Sequence, residues 1–276
     1  MTLWCDGKFL PDDTLVVGPF DPGLSVGDGL FETMAVYHGR IFARDQHVAR
    51  LNRSVTALGF APVEWDIAAV CTEAAHHSAD LPVARLRVTL WHGTGNETHL
   101  AVSLREEPNA PLLGMIKTTD ARVGIGPWIR DPANPLTGHK STSYGGNVAA
   151  LRWGKTRSFD EVLWRGRWGG VCEGTTANLL FVHQDKLYTP ADDSGCLPGV
   201  TRNILTAIGD ELGGVLMMAA RDLSNINVAT SGLALVGTFR GVHAVGHVDN
   251  KPVHVKTLIR EAQTLFADRM HDFLTN

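Results

Sequence analysis

Apolar and polar positions along the chain alternate in some stretches and recur at helical spacing in others. This pattern sets out its elements. Residues 2–10 read as strand, broken by Asp6-Gly7. The glycine-rich Gly27-Asp28-Gly29 leads into 30–37, a β-forming run that ends at His38-Gly39 and is therefore predicted to be a strand. Val48, Leu51, Val55 and Leu58 share one helical face, which predicts a helix with Asp45 as N-cap, ending near Gly59. A second helix is expected over 65–77. Residues 84–91 and 98–104 read as a strand pair around His92-Gly93-Thr94-Gly95-Asn96. That Gly-Thr-Gly could cradle a phosphate, but no helix signal follows it, so it reads as a hairpin turn.

Residues 106–136 are rich in Pro and Asp, and the boundary between two domains is placed inside them, around Asp120. A helix is predicted over 144–155, strands over 161–164, 178–182 and 186–190, and a helix over 198–212 with Pro198 in its first turn. Residues 233–236 read as a buried strand and the last 20 residues as a helix. Mixed elements without regular βαβ alternation predict an α+β domain over 1–119, a linker over 120–130, and a mixed, barrel-like α/β domain over 131–276.

Composition narrows the function classes. The 276 residues are 44% apolar and 20% charged, ordinary values for a chain with a real core. A net charge of -4 gives no basic face for nucleic acid. Cys5, Cys71, Cys172 and Cys196 are far apart and form no CxxC pair, which suggests reduced thiols in a cytoplasmic protein, with no disulfide framework and no metal site. The start carries Asp6, Asp12 and Asp13 and no apolar signal core. No stretch approaches the roughly 20 apolar residues of a membrane span.

The candidate chemistry lies in separated motifs. Lys140, in Gly138-His139-Lys140-Ser141-Thr142-Ser143-Tyr144, has small polar flanks that suit a partly desolvated amine. Taken alone, this heptapeptide reads as a surface loop. Glu173 precedes Gly174 after a strand-like run, as a carboxylate facing a pyridine nitrogen would, or as a plain turn glutamate. Gly199-Val200-Thr201 opens a helix whose N–H groups, with the Thr201 hydroxyl, suit a phosphate. Gly237-Thr238, after a buried strand, is a second phosphate turn. Arg50 lies on the first amphipathic helix, where a solvated arginine is the plainer reading.

In combination and order, these motifs resemble the class IV aminotransferases. These fold type IV enzymes of pyridoxal 5'-phosphate include branched-chain aminotransferase, D-amino-acid aminotransferase and 4-amino-4-deoxychorismate lyase. The resemblance runs over nearly the whole chain. Gly27 to Thr33 is similar to the family's GDGxFE strand, and His47-Val48-Ala49-Arg50-Leu51 to its HxxRL helix, whose arginine binds the cofactor phosphate. Lys140 stands where the Schiff-base lysine stands, and Tyr144 where a ring-contacting tyrosine often does. Glu173 to Leu179, with Asn178, is similar to EGTxxNLF, whose glutamate pairs with the pyridine nitrogen. Leu197-Pro198-Gly199-Val200-Thr201-Arg202 is similar to LPGITR, and Gly237-Thr238 to the late phosphate turn.

The resemblance implies amino acid and 2-oxo acid substrates and a homodimer. For the substrate site it leaves Phe31, Arg87, Phe239 and Arg240, with Arg130 as a further carboxylate candidate. A bidentate arginine is what a substrate carboxylate needs. Trp91-His92 replaces the carboxylate trap of the well-known D-amino-acid enzymes, and Phe239-Arg240 replaces the small turn of branched-chain enzymes. The resulting expectation is a D-amino-acid transaminase with a non-standard carboxylate site. The lyase is the alternative, and a branched-chain aminotransferase or a non-catalytic binding protein follows behind.

Overall fold

The structure, a computed structural model of the chain, describes residues 2–95 and 97–275. Met1, Asn276 and Asn96, the last residue of the expected 92–96 turn, lie outside them. In chain order the first elements are β1 (Thr2–Cys5), β2 (Lys8–Leu10), α1 (Pro22–Ser25), β3 (Gly29–Tyr37), β4 (Arg40–Phe42), α2 (Arg44–Ala57), α3 (Ile67–His76), β5 (Ala84–His92) and β6 (Thr98–Glu106). They are followed by β7 (Ala121–Arg130), α4 (Gly145–Lys155), β8 (Glu161–Gly166), β9 (Val171–Gly174), β10 (Asn178–His183), β11 (Lys186–Pro190) and α5 (Val200–Ile208). The remainder is β12 (Val215–Met218), β13 (Leu233–Gly237), β14 (Gly241–Val248), β15 (Lys251–Pro252), α6 (Thr257–Arg269) and β16 (Leu274–Thr275).

These elements form two compact units, and neither is a single stretch of chain. The first unit takes residues 1–113, 139–144 and 270–276; the second takes 114–138 and 145–269. The first is α+β, a seven-stranded sheet in the order β16-β4-β3-β5-β6-β1-β2. Period-2 alternation sorts its faces. Leu30, Met34 and Val36 of β3, with Leu86, Val88 and Leu90 of β5, pack with Leu51 of α2 and Val70, Cys71 and Ala74 of α3 in one apolar core. Phe31, Thr33, Arg87 and Thr89 consequently lie on the opposite face, where Thr33 is paired with Arg87 and Phe31 with Thr89.

The second unit holds a nine-stranded sheet, with β12-β11-β10-β13-β14-β7-β8-β9 in order and β15 on β14. β9 ends that path, yet only residues 175–177 separate it from β10, and Gly174 N–H donates to Ala177 O at 2.7 Å. The path therefore curls back on itself, which makes the sheet barrel-like. Its interior is filled by Leu163, Leu179, Phe181, Leu233 and Leu235. The four cysteines are free and buried. No helix among the described residues is long and apolar enough to cross a membrane.

Four local expectations are corrected. The stretch 120–130, expected to be a linker, is strand β7 from Ala121 onward, parallel to both β8 and β14. Its Gly and Pro residues are absorbed by a register shift between Ile125 and Ile129. Helix α2 is capped by Ala43 rather than Asp45: Ala43 is left-handed and its N–H donates to Phe273 O, while the Asp45 carboxylate accepts from Arg44. Pro198 lies outside α5, whose N-cap is Gly199; a 3-10 turn, Gly209–Leu212, completes the predicted helix. The last 20 residues are not all helix, because Leu274 and Thr275 leave α6 to pair with β4.

Candidate active site

In the first unit, the segment carrying Lys140 is laid against the start of β3. Phe31 N–H donates to Lys140 O at 2.8 Å and Thr142 N–H to Gly29 O at 2.9 Å, with Leu30 bridged to Ser141. This close approach explains the glycine of the 27–29 motif. A Cβ on Gly29 would lie 2.6 Å from Leu90 O and 2.8 Å from Thr142 Oγ1. Lys140 Nζ lies 4.4 Å from the Phe31 ring centre and 5.5 Å from that of Tyr144, and the two rings meet edge-on. Arg87 Cζ lies 3.8 Å from the Phe31 ring. Burial, and then the charges of Arg85 and Arg105, push the Arg87 guanidinium down from its usual range. The first unit thus gathers Lys140, Tyr144, Phe31 and Arg87.

Arg50 is not a solvated helix arginine. Its Nε and Nη2 donate to the two oxygens of Glu32, each at 2.7 Å, and His47 Nδ1 lies 2.8 Å from Glu32 Oε2. All three residues are buried. Burial would raise the Glu32 carboxyl, but the Arg50 charge and the bonds from His47 and Arg50 win and hold it well below the usual carboxylate range. Burial also lowers His47 against the pull of Glu32. Its Nε2 has no hydrogen-bond partner among the described residues, as suits a neutral ring donating through Nδ1.

In the second unit, two motifs form one hydrogen-bonded piece. Leu197 N–H donates to Glu173 Oε2 at 2.9 Å, and Asn178 Nδ2 donates to Leu197 O at 2.7 Å. The turn entering α5 is thereby fixed to β9 and β10. Gly199 is required there, since a Cβ would lie 1.8 Å from Asn178 Oδ1. Arg130 Nε lies 2.7 Å from Glu173 Oε1, and Arg130 Nη2 donates to Asn147 Oδ1 at 3.1 Å. Arg130, weighed as a candidate for the substrate carboxylate, is therefore paired with Glu173 instead.

The residues fit the cofactor that the resemblance implies. Gly199 caps α5 without a side-chain bond, so the first N–H groups of Val200 and Thr201 face outward from the helix start. Thr201 Oγ1 is buried and has no partner among the described residues, an orphan that a phosphate oxygen would satisfy. Gly237 closes β13, and the turn through Thr238, Phe239 and Arg240 returns as β14, with Arg240 N–H donating to Gly237 O at 3.0 Å.

Arg240 itself is turned inward. Its Nη2 donates to Glu161 Oε2 at 3.0 Å and to Thr176 Oγ1 at 3.2 Å. Glu161, fully buried, also accepts from Val162 N–H at 3.0 Å, Thr175 N–H at 2.9 Å, the Thr175 hydroxyl and, at 2.5 Å, the Thr176 hydroxyl. Of the three arginines weighed for a substrate carboxylate, Arg130 and Arg240 are thus held by internal glutamates. Arg87 has no carboxylate partner among the described residues. Sequence reasoning missed the roles of Glu32, Glu161 and Asn147. The glutamate of the GDGxFE stretch, two strand positions from Leu30 and on the helix-facing side, was the one available signal.

Comparison with known proteins gives the family and the fold. The Amino-transferase class IV family model matches residues 29–248. The chain is 26% identical over 268 residues to a protein of Methanocaldococcus jannaschii named "Putative branched-chain-amino-acid aminotransferase", covering 93% of this chain and 91% of that protein. It is 24% identical to the aminodeoxychorismate lyase of Bacillus subtilis over 76% of this chain and 74% of that protein. Its fold matches that of the branched-chain amino acid aminotransferase from Escherichia coli, with a TM-score of 0.83, 20% identity and coverage of 100% of this chain and 98% of that one.

Proposed function

The chain belongs to the class IV amino-transferases, and from that premise we propose that it is a pyridoxal-phosphate-dependent aminotransferase exchanging an amino group between an amino acid and a 2-oxo acid. The observation that carries this reading is the grouping of Lys140, Phe31 and Arg87, an amine beside an apolar ring whose other cation has no carboxylate partner among the described residues.

Val200 and Thr201 at the start of α5, with Gly237 and Thr238, would hold the cofactor phosphate. The resemblance also assigns Arg50, which Glu32 fixes in place, to that phosphate. Leu197 and Asn178 shape the turn into α5; by the same resemblance Tyr144 would contact the ring and Glu173 would keep a proton on the pyridine nitrogen. Bound there, the cofactor supplies an electron sink for the charge left on a substrate Cα when its proton departs. Lys140 takes and returns that proton. Arg87 orients the substrate carboxylate through its planar fork, and Phe31 shields the amine from water. A homodimer is part of the same reading, by family analogy.

For the amino donor, the branched-chain names of the relatives support an L-amino acid with an apolar side chain. The D-amino-acid donor expected from sequence remains the second reading on one observation: Phe239 and Arg240 stand in the turn after β13 where branched-chain enzymes are small. One preparation tests all of these. L-leucine, L-glutamate, D-alanine and D-glutamate are added singly, and conversion of the visible cofactor band is followed. We expect L-leucine and L-glutamate to convert it. Conversion by D-alanine or D-glutamate alone moves the assignment to the second reading. Pyruvate release from aminodeoxychorismate without amino transfer makes it a lyase. Purified protein without a visible band, even after added pyridoxal phosphate, overturns the reading altogether.

A further inference from the structure

The backbone of Lys140 is held on one side by β3, through Phe31 N–H. On the other side the hold is a side chain. His139 Nδ1 lies 2.9 Å from Ser54 Oγ, and Ser54 Oγ donates to Arg50 O at 3.3 Å. The hydroxyl proton is thus committed to helix α2, and the bond to His139 is donated by the imidazole. Ser54 is 4% exposed and His139 is half-buried, so the contact reaches into the protein from the edge of solvent. The helix that Ser54 sits on also carries Arg50, one turn earlier, locked on Glu32.

We propose that His139 is a positioning residue for Lys140. Through Ser54 it ties the backbone entering Lys140 to α2, so that the amine is presented in one direction beside Phe31. The inference rests on the reading of Lys140 as the lysine that reacts with the cofactor. Burial pushes His139 below its usual value, so the ring is neutral at pH 7 and adds no second positive charge next to the amine. A misdirected amine costs rate even when every reacting group is present, because near-attack geometry is what positioning supplies.

The test uses the full chain stripped of cofactor, and reads the rate at which Lys140 captures added pyridoxal phosphate, followed by the visible band. His139→Ala and Ser54→Ala are each expected to slow capture about fivefold, the scale of one net hydrogen bond. The double variant is expected to be no slower than either single one, because both remove the same bond. His139→Asn, whose amide can donate from nearly the same place, is expected to recover most of the rate. In the reloaded enzyme kcat should fall with KM for the amino acid unchanged, since Arg87 and Phe31 are untouched. Capture at the unaltered rate in His139→Ala or Ser54→Ala overturns the proposal. So do additive effects in the double variant, and so does a lower melting temperature as the sole change. Lys140→Ala separates the two readings: if it still captures the cofactor with a normal band, the assignment of Lys140 fails, whatever His139 does.

Discussion

Glu32 in the first unit and Glu161 in the second are both fully buried carboxylates paired with an arginine, yet they are built differently. Among the described residues, Glu32 is met by long side chains on α2, those of Arg50 and His47. Glu161 is wrapped mainly by its own neighbourhood: two backbone N–H groups and two threonine hydroxyls. Its arginine is partly exposed, 21% at the Arg240 side chain against 7% for Arg50. A buried carboxylate surrounded by fixed dipoles is satisfied without its cation, whereas one supplied by a guanidinium and one neutral imidazole is not. Arg50 is therefore structural as well as charged, and Arg240 is an accessory to a site already satisfied.

The comparison breaks most visibly at Arg50. Arg50→Met leaves Glu32 buried with only His47, and should destabilise the cofactor-free protein by about 3–5 kcal/mol, measured by urea unfolding at pH 7. Adding Glu32→Leu should restore at least half of that loss, because removing both partners removes the uncompensated charge. An Arg50→Met protein as stable as the parent would show that the two pairs are alike after all. The next largest effect concerns Arg87, which has no carboxylate partner among the described residues. Arg87→Met should lower kcat/KM for the amino acid by about 100-fold, the scale of a lost charge-assisted bidentate contact, with unfolding little changed.

Acid sharpens the contrast. Against the upward push of burial, the Arg50 charge and the bonds from His47 and Arg50 leave Glu32 with a folded value below the 4.5 of a free glutamate. Its contribution is therefore complete above about pH 5 and is lost as pH falls through the folded value. His47 is also lowered, from 6.5. The unfolded chain takes up that proton first, so stability begins to fall below about pH 6.5. The melting temperature should thus decline from pH 7 to 5, and again below about pH 4.5. His47→Asn, which can still donate to Glu32, should flatten the first decline and leave the second. If the parent and His47→Asn titrate alike, His47 is not the neutral partner of Glu32.

Much of the local structure was legible because it is periodic. Val48, Leu51 and Val55 marked α2, and the alternation from Leu30 marked β3 together with the side of it that faces the core. The motifs around Lys140, Glu173 and Thr201 were legible for a related reason: each is a compact backbone device whose glycines or caps occur within a few residues. What could not be read locally was pairing over distance. β7 contains Gly124, Gly126 and Pro127, and it is a strand only because β8 and β14 flank it. β16 is two residues long and exists because β4 offers it an edge. The arginines obeyed the same rule. Arg240 finds Glu161 79 positions away and Arg130 finds Glu173 on another strand, so neither partner is visible from the flanking residues.

Arg240 gives the smallest effect and the most discriminating one. Its removal by Arg240→Met takes one partly exposed cation from Glu161, while the Thr176 hydroxyl stays on the same carboxylate oxygen. The loss should be about 1 kcal/mol, near the range of a partly exposed ion pair, and a small drop in melting temperature would register it. The kinetic outcome separates the roles more sharply. Were Arg240 to grip the substrate carboxylate, KM would rise as steeply as in Arg87→Met. With its guanidinium on Glu161 and Thr176, KM should stay within about twofold of the parent, because an arginine that does not touch the substrate gives it no binding energy to lose. A tenfold rise in KM at unchanged stability would return Arg240 to the substrate and leave Glu161 to its threonines alone.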